Sequence, residues 1–163
     1  MMDELITAVE AMDPAVLGNA LLATTAIVAA IAAFGLVRYL MTAIGYSRMY
    51  RKAGEAGWKA FIPFYNTYNN YKISWNSEKF FQYAVLCVLF IAMCHSTMLS
   101  LKLAGILAGI ILTVITISQH VKMAKRFGKG TGNGMALMFF PGITSMILGL
   151  GKAEFQAEMA GNN

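Results

Sequence analysis

Four stretches of apolar residues dominate the chain, at about 15–39, 80–98, 101–119 and 135–151, with short polar turns between them. Each approaches the roughly 20 residues a helix needs to cross the hydrocarbon core of a bilayer. The pattern predicts an all-α fold, an integral membrane four-helix bundle forming a single transmembrane domain over residues 1–163. The second and third runs are separated by only a few residues around Ser96 and Ser100, so they are expected to be antiparallel neighbours. Pro141-Gly142 interrupts the fourth run midway. A kink is expected there, with neighbouring helices or the Thr144 and Ser145 hydroxyls satisfying the freed backbone groups.

A fifth stretch, about 57–76, breaks the pattern, being too polar to cross a bilayer and too aromatic to sit freely in water. Phe61, Phe64, Tyr68, Tyr71 and Trp75 recur every three or four positions, while Asn66, Asn69, Asn70 and Ser77 lie largely elsewhere on the wheel. Tyr and Trp favour the headgroup level. An interfacial amphipathic helix is therefore predicted, lying in the membrane plane or re-entrant, and dipping inward at the bend imposed by Pro63.

Composition supports the membrane reading, since 58% of residues are hydrophobic and 13% charged, against about 25% charged in soluble domains. The 13 Lys and Arg exceed the 8 Asp and Glu, a net charge of +5. In this setting the excess marks one side of a membrane, and no nucleic-acid partner is expected. If 57–76 does not cross, Arg48, Arg51, Lys52, Lys59, Lys72, Lys79, Lys122, Lys125, Arg126 and Lys129 share a face. The positive-inside rule then places that face in the cytoplasm and both termini outside. The start of the chain carries Asp3, Glu4, Glu10 and Asp13 and no Lys or Arg before Arg38, the opposite of a secretory signal. The last residues, Gly161 to Asn163, are expected to fray.

Small residues suggest where helices pack. Ala26, Ala29, Ala30 and Ala33 form a face on the first run. Gly105 and Gly109 have GxxxG spacing on the third, in a stripe continuing through Thr113, Thr116 and His120. With Asn66, Asn69 and Asn70, those last three residues are a candidate polar lining for a solute or ion path. The run Gly128-Lys129-Gly130-Thr131-Gly132 lacks the spacing of a phosphate-binding P-loop and follows a helix rather than a strand. It reads as a re-entry loop whose basic neighbours hold anionic lipid headgroups at about 1 kcal/mol per charge. Gly54 precedes Pro63 by nine residues, as Gly132 precedes Pro141; two such matches are the spacing of a duplicated unit of helix, basic turn and Pro-broken segment, but chance accounts for them more readily.

Catalysis and cofactors find little support. No Asp or Glu lies between Asp13 and Glu55 or between Glu78 and Glu154, so nucleophile, base and orienting acid cannot be assembled. His95 and His120 fall at opposite ends of a helical hairpin, roughly 30 Å apart at 1.5 Å per residue. Cys87 and Cys94 sit about 10 Å apart along one helix, too far to bond each other. They read as buried free thiols, and the twelve scattered methionines as packing residues. No enzyme activity, metal or cofactor is expected.

Three blocks carry a resemblance. They are Ala53-Gly54-x-x-Gly57-Trp58-x-Ala60-x-Ile62-Pro63-Phe64-Tyr65-Asn66, then Ala124-Lys125-x-Phe127-Gly128-Lys129-Gly130-Thr131-Gly132, then Ile147-Leu148-Gly149-x-Gly151-x-Ala153. Over about residues 45–155 the chain resembles an uncharacterised family of small bacterial polytopic membrane proteins, whose module also precedes the catalytic domain of some signal peptidases I. The Ser and Lys dyad of those peptidases has no counterpart here. Where the family often carries a second aromatic, Pro-Asn-containing stretch, this chain reads Phe90-Ile91-Ala92-Met93-Cys94-His95.

The resemblance implies a multi-pass protein of a bacterial cytoplasmic (inner) membrane and no established activity. The expected function is a non-enzymatic membrane subunit or scaffold that binds a partner membrane protein or its own copies through Gly105, Gly109 and the alanine face. The alternatives are a channel or transporter lined by the polar residues named above, and a lipid-interacting or targeting module linked to protein secretion. Function is expected to concentrate on the cytoplasmic face, where Gly54, Gly57, Trp58, Pro63, Tyr65, Asn66, Phe127, Gly128, Lys129 and Pro141 gather.

Overall fold

The computed structural model describes Met2 and residues 13–157; Asp3, Glu4, Glu10 and the expected frayed end at 161–163 lie outside the described residues. Among them are six α-helices, one 3₁₀ turn and no strand: α1 (Pro14–Lys52), the 3₁₀ turn (Gly57–Phe61), α2 (Pro63–Ser74), α3 (Ser77–His95), α4 (Leu99–Arg126), α5 (Thr131–Phe139) and α6 (Pro141–Leu150). Three of them, α1, α3 and α4, are long and apolar enough to cross a membrane. The chain divides inside α1 into two units, Met1–Arg38 and Tyr39–Asn163.

In the first unit, Asp13 opens α1 by accepting from Ala15 N at 2.8 Å, and Pro14 occupies the first helical position, where its missing N–H costs nothing. The apolar stretch that follows has no buried residue.

The second unit holds the core. Tyr46, Met49 and Tyr50 of α1 pack with Ala60, Ile73, Met123, Phe127, Leu137 and Leu148. Every element except α3 contributes to that cluster. It is reached by two hairpins of similar construction.

Both α1 and α4 end in the same turn. Gly54 (φ +79°) follows α1 and Gly128 (φ +66°) follows α4, a left-handed conformation that glycine adopts without a Cβ penalty. Glu55 N donates to Tyr50 O at 2.8 Å and Lys129 N to Ala124 O at 3.0 Å, the six-residue bond of a Schellman cap. The chain then doubles back along the helix it has just left. The 3₁₀ turn climbs α1, with Gly57 against Ser47 and Arg51 and the Phe61 carbonyl accepting from the Tyr39 hydroxyl. Likewise α5 climbs α4, with Gly134 against the Val121 backbone.

Each climb stops at a proline, which begins the next helix because it cannot donate to the preceding turn. From Pro63, α2 descends again until Lys72 meets Glu55. From Pro141, α6 descends alongside α1: Ser145 lies against Gly45, Gly149 against Gly45 and Arg48, and Lys52 Nζ donates to the carbonyls of Leu148, Gly151 and Ala153 at 2.7–2.9 Å. Past α6 the chain reaches the end of α4, where Gln156 N donates to Arg126 O at 2.7 Å.

The fourth spanning helix expected over 135–151 is therefore corrected. It is two helices of nine and ten residues, about 13 and 15 Å long, that leave from and return to the same end of the unit. The kink at Pro141 is a reversal, because α6 is held parallel to the last turns of α1 by glycine contacts that a continuous helix cannot make. As expected, a hydroxyl there serves backbone: Ser145 Oγ donates to Gly142 O at 3.2 Å and to Thr42 O at 3.5 Å.

The Gly and Pro spacing, which on sequence alone is a coincidence, has a structural counterpart in a different register. The glycine equivalent to Gly54 is Gly128, thirteen residues before Pro141, while Gly132 lies within α5. The longer climb accommodates a two-turn α-helix where the first hairpin has a 3₁₀ turn.

The Gly105 and Gly109 stripe is used inside the chain. A Cβ at Gly105 would lie 3.2 Å from Met93 Cβ, and one at Gly109 3.1 Å from the Phe90 ring. These glycines let α3 and α4 approach closely and are not a vacant docking face. Cys87 is half-buried and Cys94 exposed, so the expectation of two buried thiols fails at Cys94.

Candidate functional site at the bases of the two hairpins

The structure gives most of the motif residues a physical task. Gly54 and Gly128 hold the left-handed turns. Gly57 permits close approach, since a Cβ there would sit 2.6 Å from Ser47 Oγ. Pro63 and Pro141 start the descending helices. Trp58 and Tyr65 form an exposed edge-to-face pair with ring centroids 5.6 Å apart. Phe127 is buried against Phe155 at 5.6 Å, pinning the segment after α6 to the end of α4. Lys129 is exposed on the turn.

Both faces of helix α2 meet other elements of the chain. Its aromatic face packs on α3, with Phe64, Tyr68 and Tyr71 at 5.3, 5.4 and 6.2 Å from the Phe80 ring. Its amide face turns into the protein. The Tyr50 hydroxyl has three acceptors within reach of its one proton: Asn66 O at 2.8 Å, Asn70 Oδ1 at 2.9 Å and the Asn66 side-chain oxygen. Gln119 Nε2 donates to Asn70 O and Ser74 Oγ at 3.3 and 3.4 Å. The reason is hydrogen bonding: α1 and α4 offer this face Tyr50 and Gln119, whereas α3 meets the other face with aromatic rings. Asn69 is fully buried, and neither of its amide atoms has a partner among the described residues.

The candidate polar lining thus divides. Asn66 and Asn70 join one buried network with Tyr50, Gln119 and Ser74. Thr113 and Thr116 instead donate to Gly109 O and Leu112 O of their own helix at 2.8 Å, and His120 Nδ1 lies 2.8 Å from Thr116 O. Sequence reasoning missed Tyr50 and Gln119, the two residues that organise the network. A Tyr late in α1 and a Gln late in α4 stand out only when both helices are known to face α2.

Around the hairpin bases the surface is charged. Glu55 receives Lys59 Nζ at 2.7 Å and Lys72 Nζ at 2.5 Å. Hydrogen bonds from Lys59 and Lys72 hold its carboxyl below the usual 4.5, and the bond to Glu55 raises Lys72. An acid depressed in the folded state stabilises above its unfolded value and loses that contribution as pH falls through the folded one. Glu55→Gln is accordingly expected to cost no more than about 1 kcal/mol at pH 7, Lys72 being partly exposed. Its unfolding curve should merge with that of the wild type as pH drops below about 4. A gap between the two that persists at pH 3 would assign the stabilisation to something other than the ion pairs.

Trp75 closes α2, with Lys122 Nζ 3.9 Å and Lys79 Nζ 5.4 Å from its ring centroid. Beside it a recess of about 210 Å³ lies between the two hairpin bases, lined by Ala53, Glu55, Lys72, Trp75, Arg126 and Ala157 among others. Among the described residues no three His, Cys, Asp or Glu side chains gather as a metal site.

No curated protein and no solved structure matches the chain. A family model does match, over residues 58–158, from Trp58 through both proline tips to the segment pinned on α4. With more than half of its length covered, the chain belongs to a family of unknown function, DUF5684.

Proposed function

We propose that the protein is a non-enzymatic membrane subunit or scaffold, with three spans and two re-entrant hairpins in place of a four-span bundle. The observation that carries this reading is α1. Its apolar stretch has no buried residue, is exposed from Asn19 to Met41, and bears a small-residue face, Ala26, Ala29, Ala30 and Ala33. In lipid there is no hydrophobic drive to cover such a stretch, and small faces serve close packing against another helix. Its partner is a spanning helix of another membrane protein or a second copy of the chain.

In this topology the hairpins enter from the side that carries the charge. Their tips are apolar and exposed at Phe61, Ile62, Phe64, Phe139 and Phe140, while Arg51, Lys52, Lys72, Lys125 and Arg126 stand at their bases. Lys152 joins the ten basic residues of that face, leaving Arg38 and Lys102 elsewhere. The positive-inside rule makes the face cytoplasmic and, with an odd number of spans, puts the N-terminus outside and the C-terminus inside. A bacterial inner membrane and a link to secretion rest on the sequence resemblance alone.

Affinity isolation in mild detergent tests the reading. The wild type should emerge with a partner or as an oligomer, and Ala29→Leu with Ala33→Leu should lower that association at least tenfold without shifting the unfolding midpoint. A protein that is monomeric and alone in the mildest detergents would sink it.

A further inference from the structure

We propose that the recess between the hairpin bases is a phosphate-binding site, its ligand the phosphodiester of an anionic phospholipid headgroup or free phosphate. Arg126 is only 5% exposed, yet one bond of 3.4 Å from Nη1 to the Ala157 carbonyl is what the described residues give it. A guanidinium carries five N–H donors, and a buried cation without a counter-charge is costly. Among the described residues that line the recess the one carboxylate, Glu55, is already shared by Lys59 and Lys72. The recess therefore keeps a surplus of positive charge, and Lys122 over the Trp75 ring adds to it.

Size and geometry select the ligand. About 210 Å³ holds a phosphate with a small polar substituent and is too small for the acyl chains of a lipid. The planar donor fork of arginine matches two phosphate oxygens at once. Both hairpins contribute to the site, α2 through Lys72 and Trp75 and the segment after α6 through Ala157, so occupancy ties the two bases together.

The test uses the full chain, stripped of phospholipid in detergent, with phosphatidylglycerol, phosphatidylcholine or inorganic phosphate added back. Retained ligand is read by native mass spectrometry and protection by thermal unfolding. Phosphatidylglycerol is expected to be retained and to raise the midpoint, with phosphatidylcholine at least tenfold weaker. Protection by millimolar inorganic phosphate that also displaces the lipid identifies the free ion as the ligand; protection by lipid alone identifies the headgroup. Arg126→Gln and Ala157→Asp, the latter supplying a carboxylate beside the guanidinium, should each weaken binding at least tenfold. Ala157 is exposed, so Ala157→Asp decides the matter if Arg126→Gln fails to fold. Wild-type protein protected by neither phosphate source, or variants that bind like the wild type, would reduce Arg126 to a clamp on the Ala157 carbonyl and overturn the proposal.

Discussion

Gly149→Ala and Gly45→Ala are each expected to destabilise the protein by about 3 kcal/mol or more, lowering the unfolding midpoint in detergent by roughly 10 °C. The two glycines form the crossing of α6 on α1. A Cβ at Gly45 would stand 2.2 Å from Ser145 Oγ and 2.6 Å from Met146 N, and one at Gly149 2.5 Å from the Gly45 carbonyl. Most of the obstructing atoms are backbone, so relief requires separating the helices. Separation would draw Leu148 out of the core and the carbonyls of Leu148, Gly151 and Ala153 away from Lys52. Two controls sharpen the measurement. Gly109→Ala meets only the edge of the Phe90 ring at 3.1 Å, which can give, so it should cost under about 1.5 kcal/mol. Gly18→Ala meets nothing within 4 Å and should be neutral or favourable by up to about 1 kcal/mol through helix propensity. Equal effects at all four positions would show that the α1–α6 crossing does not support the fold.

A reporter fused after Ala157 is expected to fold and act on the cytoplasmic side, giving fluorescence with green fluorescent protein and no activity with alkaline phosphatase. The contrast is all or none, because a four-span bundle with both termini outside gives the opposite pair of results. The expectation follows from Gln156 N on Arg126 O and from Phe155 on Phe127, which place the chain after α6 beside the chain before α5. A fusion between α3 and α4, after Ser96, should give the external pattern and serves as the internal control. Alkaline phosphatase activity after Ala157 would restore the fourth span and remove the basis for reading 131–150 as re-entrant.

Much of the architecture was legible in the order of residues. Length and apolarity are local properties, so the existence of α1, α3 and α4 could be read, but α1 runs to Lys52, thirteen residues past its expected end at about 39. α3 begins at Ser77, where Asn76 Oδ1 accepts from Lys79 N at 3.0 Å, and α4 extends to Arg126 because its last turns are buried in the core rather than lost to solvent. The glycines and prolines of the motif were also legible as punctuation. Which partner each face meets was not. The aromatic stripe of α2 was legible, but not that Phe64, Tyr68 and Tyr71 of it meet Phe80. Gly105 and Gly109 were legible as a close-packing face, but not that Phe90 and Met93 of the same chain, rather than a partner, fill it. Hydropathy records only that a residue avoids water, and lipid and protein interior satisfy that condition equally.

The sequence by itself determined a helical membrane protein of family DUF5684 type, its three long apolar helices, its proline breaks and the clustering of basic residues about the turns. Only the tertiary structure decided that the chain reverses at Pro63 and Pro141, that α2 turns its amides toward Tyr50 and Gln119, and that Arg126 is buried beside a recess. A proline ends a helix by local chemistry, but the direction in which the next helix leaves depends on distant packing. Here that packing is the close approach of Gly45 to Gly149 and the three carbonyls gathered by Lys52, pairs about a hundred residues apart in sequence.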